Sequence, residues 1–188
     1  MTEEELLEKI EQAATEGWTE LDLSGNELTV LPPEIGQLTQ LKKLILGKYD
    51  KKTRRFIGNN LSELPKEIGL LVQLEELQIA GNQLSSLPAE IVQLTNLQSL
   101  NLWNTQLSSL PEVIVQLTNL QSLDLSINKL SNLPAEIAQL TNLQSLEIRS
   151  NQLSSLPAEI AQLINLQSLY FSGNKLSSLP AEFGQLTN

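Results

Sequence analysis

Apolar and polar positions return along most of this chain in one fixed order. Counting from Leu97, Leu120, Leu143 and Leu166, the residues read LQSLxLxxNxLSSLPAEIxQLTN with few departures, and the same skeleton begins earlier at Trp18, Leu41 and Leu74. The unit is 23 residues long, and repetition on that scale predicts a stack of like units, each too small to bury its own apolar face. Within a unit, a stretch such as Ser145-Leu146-Glu147-Ile148-Arg149 alternates with period two, the pattern of a short strand with one buried face. Stacking then pairs these strands into a parallel sheet. At the following turn stand Asn26, Asn59, Asn82, Asn128, Asn151 and Asn174, whose amides can donate to and accept from the backbone of their own loop and its neighbour, so the spacing predicts an asparagine ladder. Thr105 takes that place in the fourth unit and offers only a hydroxyl, which predicts a locally weaker ladder or a bridging water. Further on, Leu-Pro-Ala-Glu-Ile sets Pro at a first helical position and predicts a short α or 3₁₀ turn, with Ile91, Leu94 and their equivalents facing the core.

Both ends are readable in the same terms. Thr2-Glu-Glu-Glu5 is a capping-box pattern, Leu6, Leu7, Ile10, Ala13 and Ala14 share one helical face, and Gly17 stands where a helix would stop, so residues 1–17 read as a helix covering the first unit. At the other end Leu169, Phe171, Leu176 and Leu179 face whatever follows, which predicts a fraying or self-associating edge and a fragment of a longer repeat protein.

The pattern LxxLxLxxNxL resembles the leucine-rich repeat, and the following LPxxIxxL resembles the 23-residue type found in Ras-associated leucine-rich-repeat proteins and in Roco proteins. The resemblance implies an α/β leucine-rich-repeat solenoid, or horseshoe, with a parallel β-sheet on the concave face, short α or 3₁₀ turns on the convex face and an N-terminal capping helix. On this reading residues 18–188 divide into seven repeats, 18–40, 41–73 with an insert at 48–57, 74–96, 97–119, 120–142, 143–165 and 166–188.

Charge and residue inventory narrow the function. The chain holds 12 basic and 22 acidic side chains, net −10; the insert takes Lys48, Lys51, Lys52, Arg54 and Arg55 against Asp50, so the remaining body is at −14. An acidic body argues against nucleic-acid or anionic-membrane binding. The acids at the start are unlike a signal peptide, and no apolar run approaches the roughly 18 residues of a membrane span, so a cytoplasmic protein is expected. With no cysteine and no histidine, thiolate–zinc sites, disulfides and histidine-based triads are excluded; no cofactor or metal is expected, and a protein partner is.

In such a horseshoe the third, fifth and seventh positions of each unit face the concave side. The third run from Glu20, Lys43 and Glu76 into four serines, while the fifth and seventh differ from copy to copy. With Ile127 beside them, Asn101, Trp103, Asp124, Glu147, Arg149 and Tyr170 form one candidate binding patch across units four to seven, with Trp103 and Tyr170 as the large anchors. The bland reading of the polar members is solvated sheet surface. Asp124 and Glu147 share a position in adjacent units and so lie about 5 Å apart, close enough for one to raise the other's pKa, unless Arg149 neutralises both. That pair is acid–base material or a weak cation site, but an open face with no nucleophile or phosphate loop argues against an enzyme.

The insert leaves after Leu46-Gly47 and rejoins at Gly58-Asn59, so register is kept, and Tyr49, Phe56 and Ile57 can fold it back as a hairpin-like flap on the concave rim. It reads either as a docking loop for an acidic or phosphate-bearing partner or as a solvated loop neutralised by Glu63, Glu75 and Glu76. The N-terminal stretch through Lys48, insert included, resembles the start of bacterial Roco proteins, which implies a second setting, a regulatory arm of a GTP-driven switch; the chain itself has no GxxxxGK[ST] loop. Near-identical units also fit recent duplication or consensus engineering.

Overall fold

The computed structural model describes residues 1–50 and 52–185. Helix α1 (Glu3–Glu16) opens with the reciprocal cap foreseen from the sequence: Glu5 N–H donates to Thr2 Oγ1 at 3.2 Å and Thr2 N–H donates to a Glu5 carboxylate oxygen at 2.7 Å. Gly17 closes it at φ 65°, a left-handed geometry that glycine adopts without a Cβ penalty. Leu6, Ile10 and Ala13 are buried and continue the core of the repeats.

Strands β1 (Glu20–Asp22), β2 (Lys43–Asp50), β4 (Glu76–Ile79), β5 (Ser99–Asn101), β6 (Ser122–Asp124), β7 (Ser145–Glu147) and β8 (Ser168–Tyr170) pair in that order into a parallel sheet. Equivalent positions face each other across it, as in Leu100↔Leu123 and Leu123↔Leu146. Opposite the sheet, each unit carries a single 3₁₀ turn, such as Ala89–Gln93, closed by i→i+3 bonds like Ile91 N–H to Pro88 O. Pro88 and its equivalents precede that turn as its N-cap instead of entering it; Pro33, the second of a Pro-Pro pair, is inside. Between sheet and turns, the framework leucines and isoleucines form one continuous core. In the last unit Leu169, Phe171 and Leu176 are only partly covered and Leu179 is exposed. The expectation of fraying at 186–188 lies outside the described residues.

The asparagines at the turn bind as their chemistry allows. Asn128 Nδ2 donates to Leu102 O of the preceding unit (2.8 Å) and to Leu125 O of its own (2.9 Å), while its Oδ1 accepts from Leu107 N–H (3.0 Å). Asn151 and Asn174 make the same crossing to Leu125 O and Ile148 O. Thr105, by contrast, has one hydroxyl hydrogen, which faces Leu102 O of its own unit (2.9 Å) and Asn128 Oδ1 of the next (3.2 Å) and can satisfy only one of them at a time. A second ladder, which the sequence reading did not foresee, runs along the other side: Asn96, Asn119, Asn142 and Asn165 each donate to a backbone carbonyl of the unit before.

The insert forms a β-hairpin. Strand β2 does not stop at Gly47 but runs on to Asp50, and β3 (Arg55–Ile57) returns antiparallel to it, with Lys48↔Ile57, Tyr49↔Phe56 and Asp50↔Arg55 as partners. At the tip Asp50 accepts from Lys52 N–H, Thr53 N–H and the Thr53 hydroxyl, an Asx-type turn. Its base is pressed against the third unit, where Ala80 and Gly81 leave no room for a side chain at Gly47 or Gly58.

Candidate functional site

The two halves of the concave face differ in how their charges are met. In the first units Lys43 sits between Glu76 (3.1 Å) and Glu20 (4.0 Å), and Lys42 pairs with Glu75 (3.0 Å). Asp22 is held by Lys48 from the insert and accepts from Ser24 N–H (2.9 Å) and its hydroxyl (2.7 Å). Burial acts to raise the Asp22 pKa, but Lys48 and Ser24 outweigh it and the carboxyl lies below its usual range. Each acid of this half has a cation from the chain itself.

Farther along, Asp124 and Glu147 are register partners on β6 and β7 and face the same side. Asp124 accepts from Ser126 N–H (2.9 Å), as Asn101 accepts from Trp103 N–H one unit earlier (2.9 Å). Burial pushes the Asp124 pKa up, and burial together with the Asp124 charge pushes Glu147 up. Arg149 does not bridge the pair. Its guanidinium lies over the Tyr170 ring, 4.1 Å from the centroid, and acts on the acids only through space. Among the described residues neither acid has an ion-pair partner.

The hairpin closes one side of this region. Phe56 stacks on Trp103 and Tyr49 packs on Phe56 with centroids 5.0 Å apart, so the tryptophan that reads as outward-facing is half-buried beneath the insert. The result is a cleft of about 390 Å³ lined by Tyr49, Phe56, Trp103, Asp124, Ser126, Ile127, Glu147, Arg149 and Ser150. The candidate residues Trp103, Asp124, Ile127, Glu147 and Arg149 therefore meet in one place. Asn101 lies behind them, its side chain engaged in the turn, and Tyr170 flanks them as the support of Arg149. Tyr49 and Phe56 are walls of the cleft that the sequence places only in the flap. Of the insert's basic residues, Lys48 is occupied by Asp22, Lys52, Arg54 and Arg55 are exposed, and Lys51 lies outside the described residues.

One backbone feature singles out the cleft. The eighth residue of most units turns through left-handed space: Gly25, Gly81 and Gly173 do so as glycines, Asn104 and Ser150 with short polar side chains, and Ile127 at φ 54° with a β-branched one. Isoleucine is among the least suited residues for that geometry, and its side chain is 43% exposed on the lip of the cleft.

Chemically, the paired carboxylates are poised to hold or exchange protons, but they lie in an open cleft. Among the described residues no three acidic, histidine or cysteine side chains gather as a metal site.

Family comparisons agree with the architecture. The "Leucine rich repeat" family model matches residues 72–130 and 95–153, a two-copy form matches 141–188 and a single-repeat form 18–38. The chain is a leucine-rich-repeat protein. Comparison with curated proteins gives no match. Among solved structures this leucine-rich-repeat chain is similar to a leucine-rich-repeat protein of Leptospira interrogans (36% identity, TM-score 0.71), covering 95% of this chain and 55% of that one. It is also similar to the leucine-rich repeat domain of the type III effector XopL (29%, TM-score 0.77, 97% and 69% covered). A third is the ectodomain of the membrane receptor kinase GASSHO1/SCHENGEN3 from Arabidopsis thaliana, solved in complex with CASPARIAN STRIP INTEGRITY FACTOR 2 (34%, TM-score 0.68, 84% and 19% covered). The repeat array thus spans about half of the first of these and a fifth of the third. The matched families are repeat families and none is an enzyme family. No helix among the described residues is long and apolar enough to cross a membrane.

Proposed function

We propose that this chain is a protein-interaction module whose partner docks on the concave face of units four to seven, with the insert hairpin as one wall of the site. The observation that carries this reading is Ile127. A left-handed isoleucine is strained by roughly 1–3 kcal/mol, and strain of that size concentrates at ligand sites. Its exposed side chain stands beside Trp103, Asp124 and Glu147, where the repeat framework gives way to variable residues. The Arabidopsis ectodomain, solved with a bound factor, supports the reading by likeness of fold.

A random peptide library displayed on phage and selected on the full chain tests it. Selected peptides should lose binding to a Trp103→Ser, Ile127→Ser variant and keep it to a convex-side Ile164→Ser variant. Peptides that bind both variants alike would place the interaction surface elsewhere.

A second setting rests on the N-terminal resemblance to Roco proteins: the same surface would serve as the regulatory arm of a larger GTPase. A GTP-binding loop encoded downstream of Asn188 in the parent gene would support it, and its absence there would remove it.

A further inference from the structure

We propose that the cleft beneath the hairpin receives one basic side chain, a lysine or arginine, projecting from the docked partner. This rests on the concave face being the interaction surface and adds the chemistry that selects the partner.

Charge is the first ground. The cleft holds Asp124 and Glu147 against Arg149 alone, one positive charge short of balance. The chain itself shows what such a carboxylate does when a cation is supplied: Asp22, at the same repeat position as Asp124, takes Lys48 and its pKa falls. Asp124 and Glu147 have no such partner among the described residues, and burial leaves both reluctant to ionise. A cation entering between them would reverse that cost.

The walls are the second ground. Tyr49, Phe56 and Trp103 present aromatic surface beside the acids, and rings attract cations by their quadrupoles. The geometry already exists one step away on the same face, where the Arg149 guanidinium lies over Tyr170. A long apolar stem with a charged head suits aromatic walls above a polar floor. A bare divalent ion fits less well, since calcium takes about six to eight oxygen ligands and one carboxylate pair offers about four at most. Among the described residues the hairpin's own cations do not fill the place: Lys48 is held by Asp22, Arg55 alternates to the strand face opposite Phe56, and Lys52 and Arg54 belong to the tip turn.

The test uses the library-selected peptides, resynthesised with each Lys or Arg changed in turn to Gln, and the full chain with Asp124→Asn and Glu147→Gln. We expect one basic residue per peptide whose loss weakens binding at least tenfold. The paired amide variant should weaken binding as much, and the two changes together should cost little more than either alone, because they remove the same contact. Binding should also weaken with added salt. Peptides that require the Trp103 and Ile127 surface yet need no basic residue, or bind the amide variant unchanged, would overturn this inference while leaving the interaction reading intact. Peptides indifferent to that surface would overturn both.

Discussion

Phe56, in the insert of the second repeat, stacks face to face on Trp103 of the fourth, with ring centroids 3.3 Å apart and planes 9° from parallel. The contact spans the third repeat, whose Ala80 and Gly81 lie against Gly47 and Gly58 at the hairpin's base. A basic loop is thereby fastened over a concave face that is otherwise open.

Ordering a surface loop costs on the order of 1–2 kcal/mol per residue, offset by three β2–β3 pairs, the Asp50 turn bonds, the aromatic contacts and the Lys48–Asp22 bond. The hairpin should therefore open locally, well below the free energy of global unfolding. In Phe56→Ala, amides of 48–50 and 55–57 are expected to exchange at least tenfold faster while global stability falls by no more than about 2 kcal/mol. A double-mutant cycle with Trp103→Ala should return a coupling of about 1 kcal/mol.

At the hairpin's base, a Cβ on Gly47 would come within 1.8 Å of Ala80 O, and one on Gly58 within 1.9 Å of Gly81 O. Both obstacles are backbone and cannot swing aside. Gly47→Ala and Gly58→Ala are each expected to cost about 3 kcal/mol in denaturant unfolding. Gly17→Ala, with open space but φ 65°, should cost only about 1 kcal/mol.

Ile127→Asn removes a β-branched side chain from left-handed backbone and substitutes the residue that Asn104 already provides at the equivalent position. Stability should rise by about 1 kcal/mol, read as a higher denaturation midpoint with unchanged slope, while peptide binding falls.

The sequence made the repeat legible because every framework position answers a short-range demand: apolar alternation for the strand, an amide for the turn, Pro before the 3₁₀ segment. What it left open depends on contacts between units. Nothing in the period says that Phe56 reaches Trp103, or that Lys48 turns back to Asp22 while Lys52 and Arg54 stay exposed at the tip. Arg149 had two partners within reach, the acids and the Tyr170 ring, and a pattern of positions cannot weigh one against the other. The left-handed eighth position was hidden for a different reason: Gly, Asn, Ser and Ile share no property that marks it without the backbone.

Asp124 and Glu147 also predict a pH dependence. Both have raised folded-state pKa values, so the folded chain binds protons more tightly than the unfolded one in the interval above the ordinary values of 3.8 and 4.5. Stability carried by these two groups is present below that interval and is lost as pH rises through it; Asp22, with its lowered pKa, acts oppositely and only below 3.8. Asp124→Asn with Glu147→Gln should abolish the decline and leave the chain at least as stable at pH 7, since Asn101 shows that an amide serves the same turn. An unchanged profile in thermal unfolding as pH rises from about 4 would contradict the burial of this pair.

The most direct measurement of the central claim is hydrogen–deuterium exchange of the full chain with and without a library-selected peptide. Protection is predicted in the hairpin strands, 48–50 and 55–57, and in the turns that form the cleft, 101–104, 124–127 and 147–150. Protection confined to the convex 3₁₀ turns, or none in the hairpin and those turns while the peptide is bound, would contradict the account.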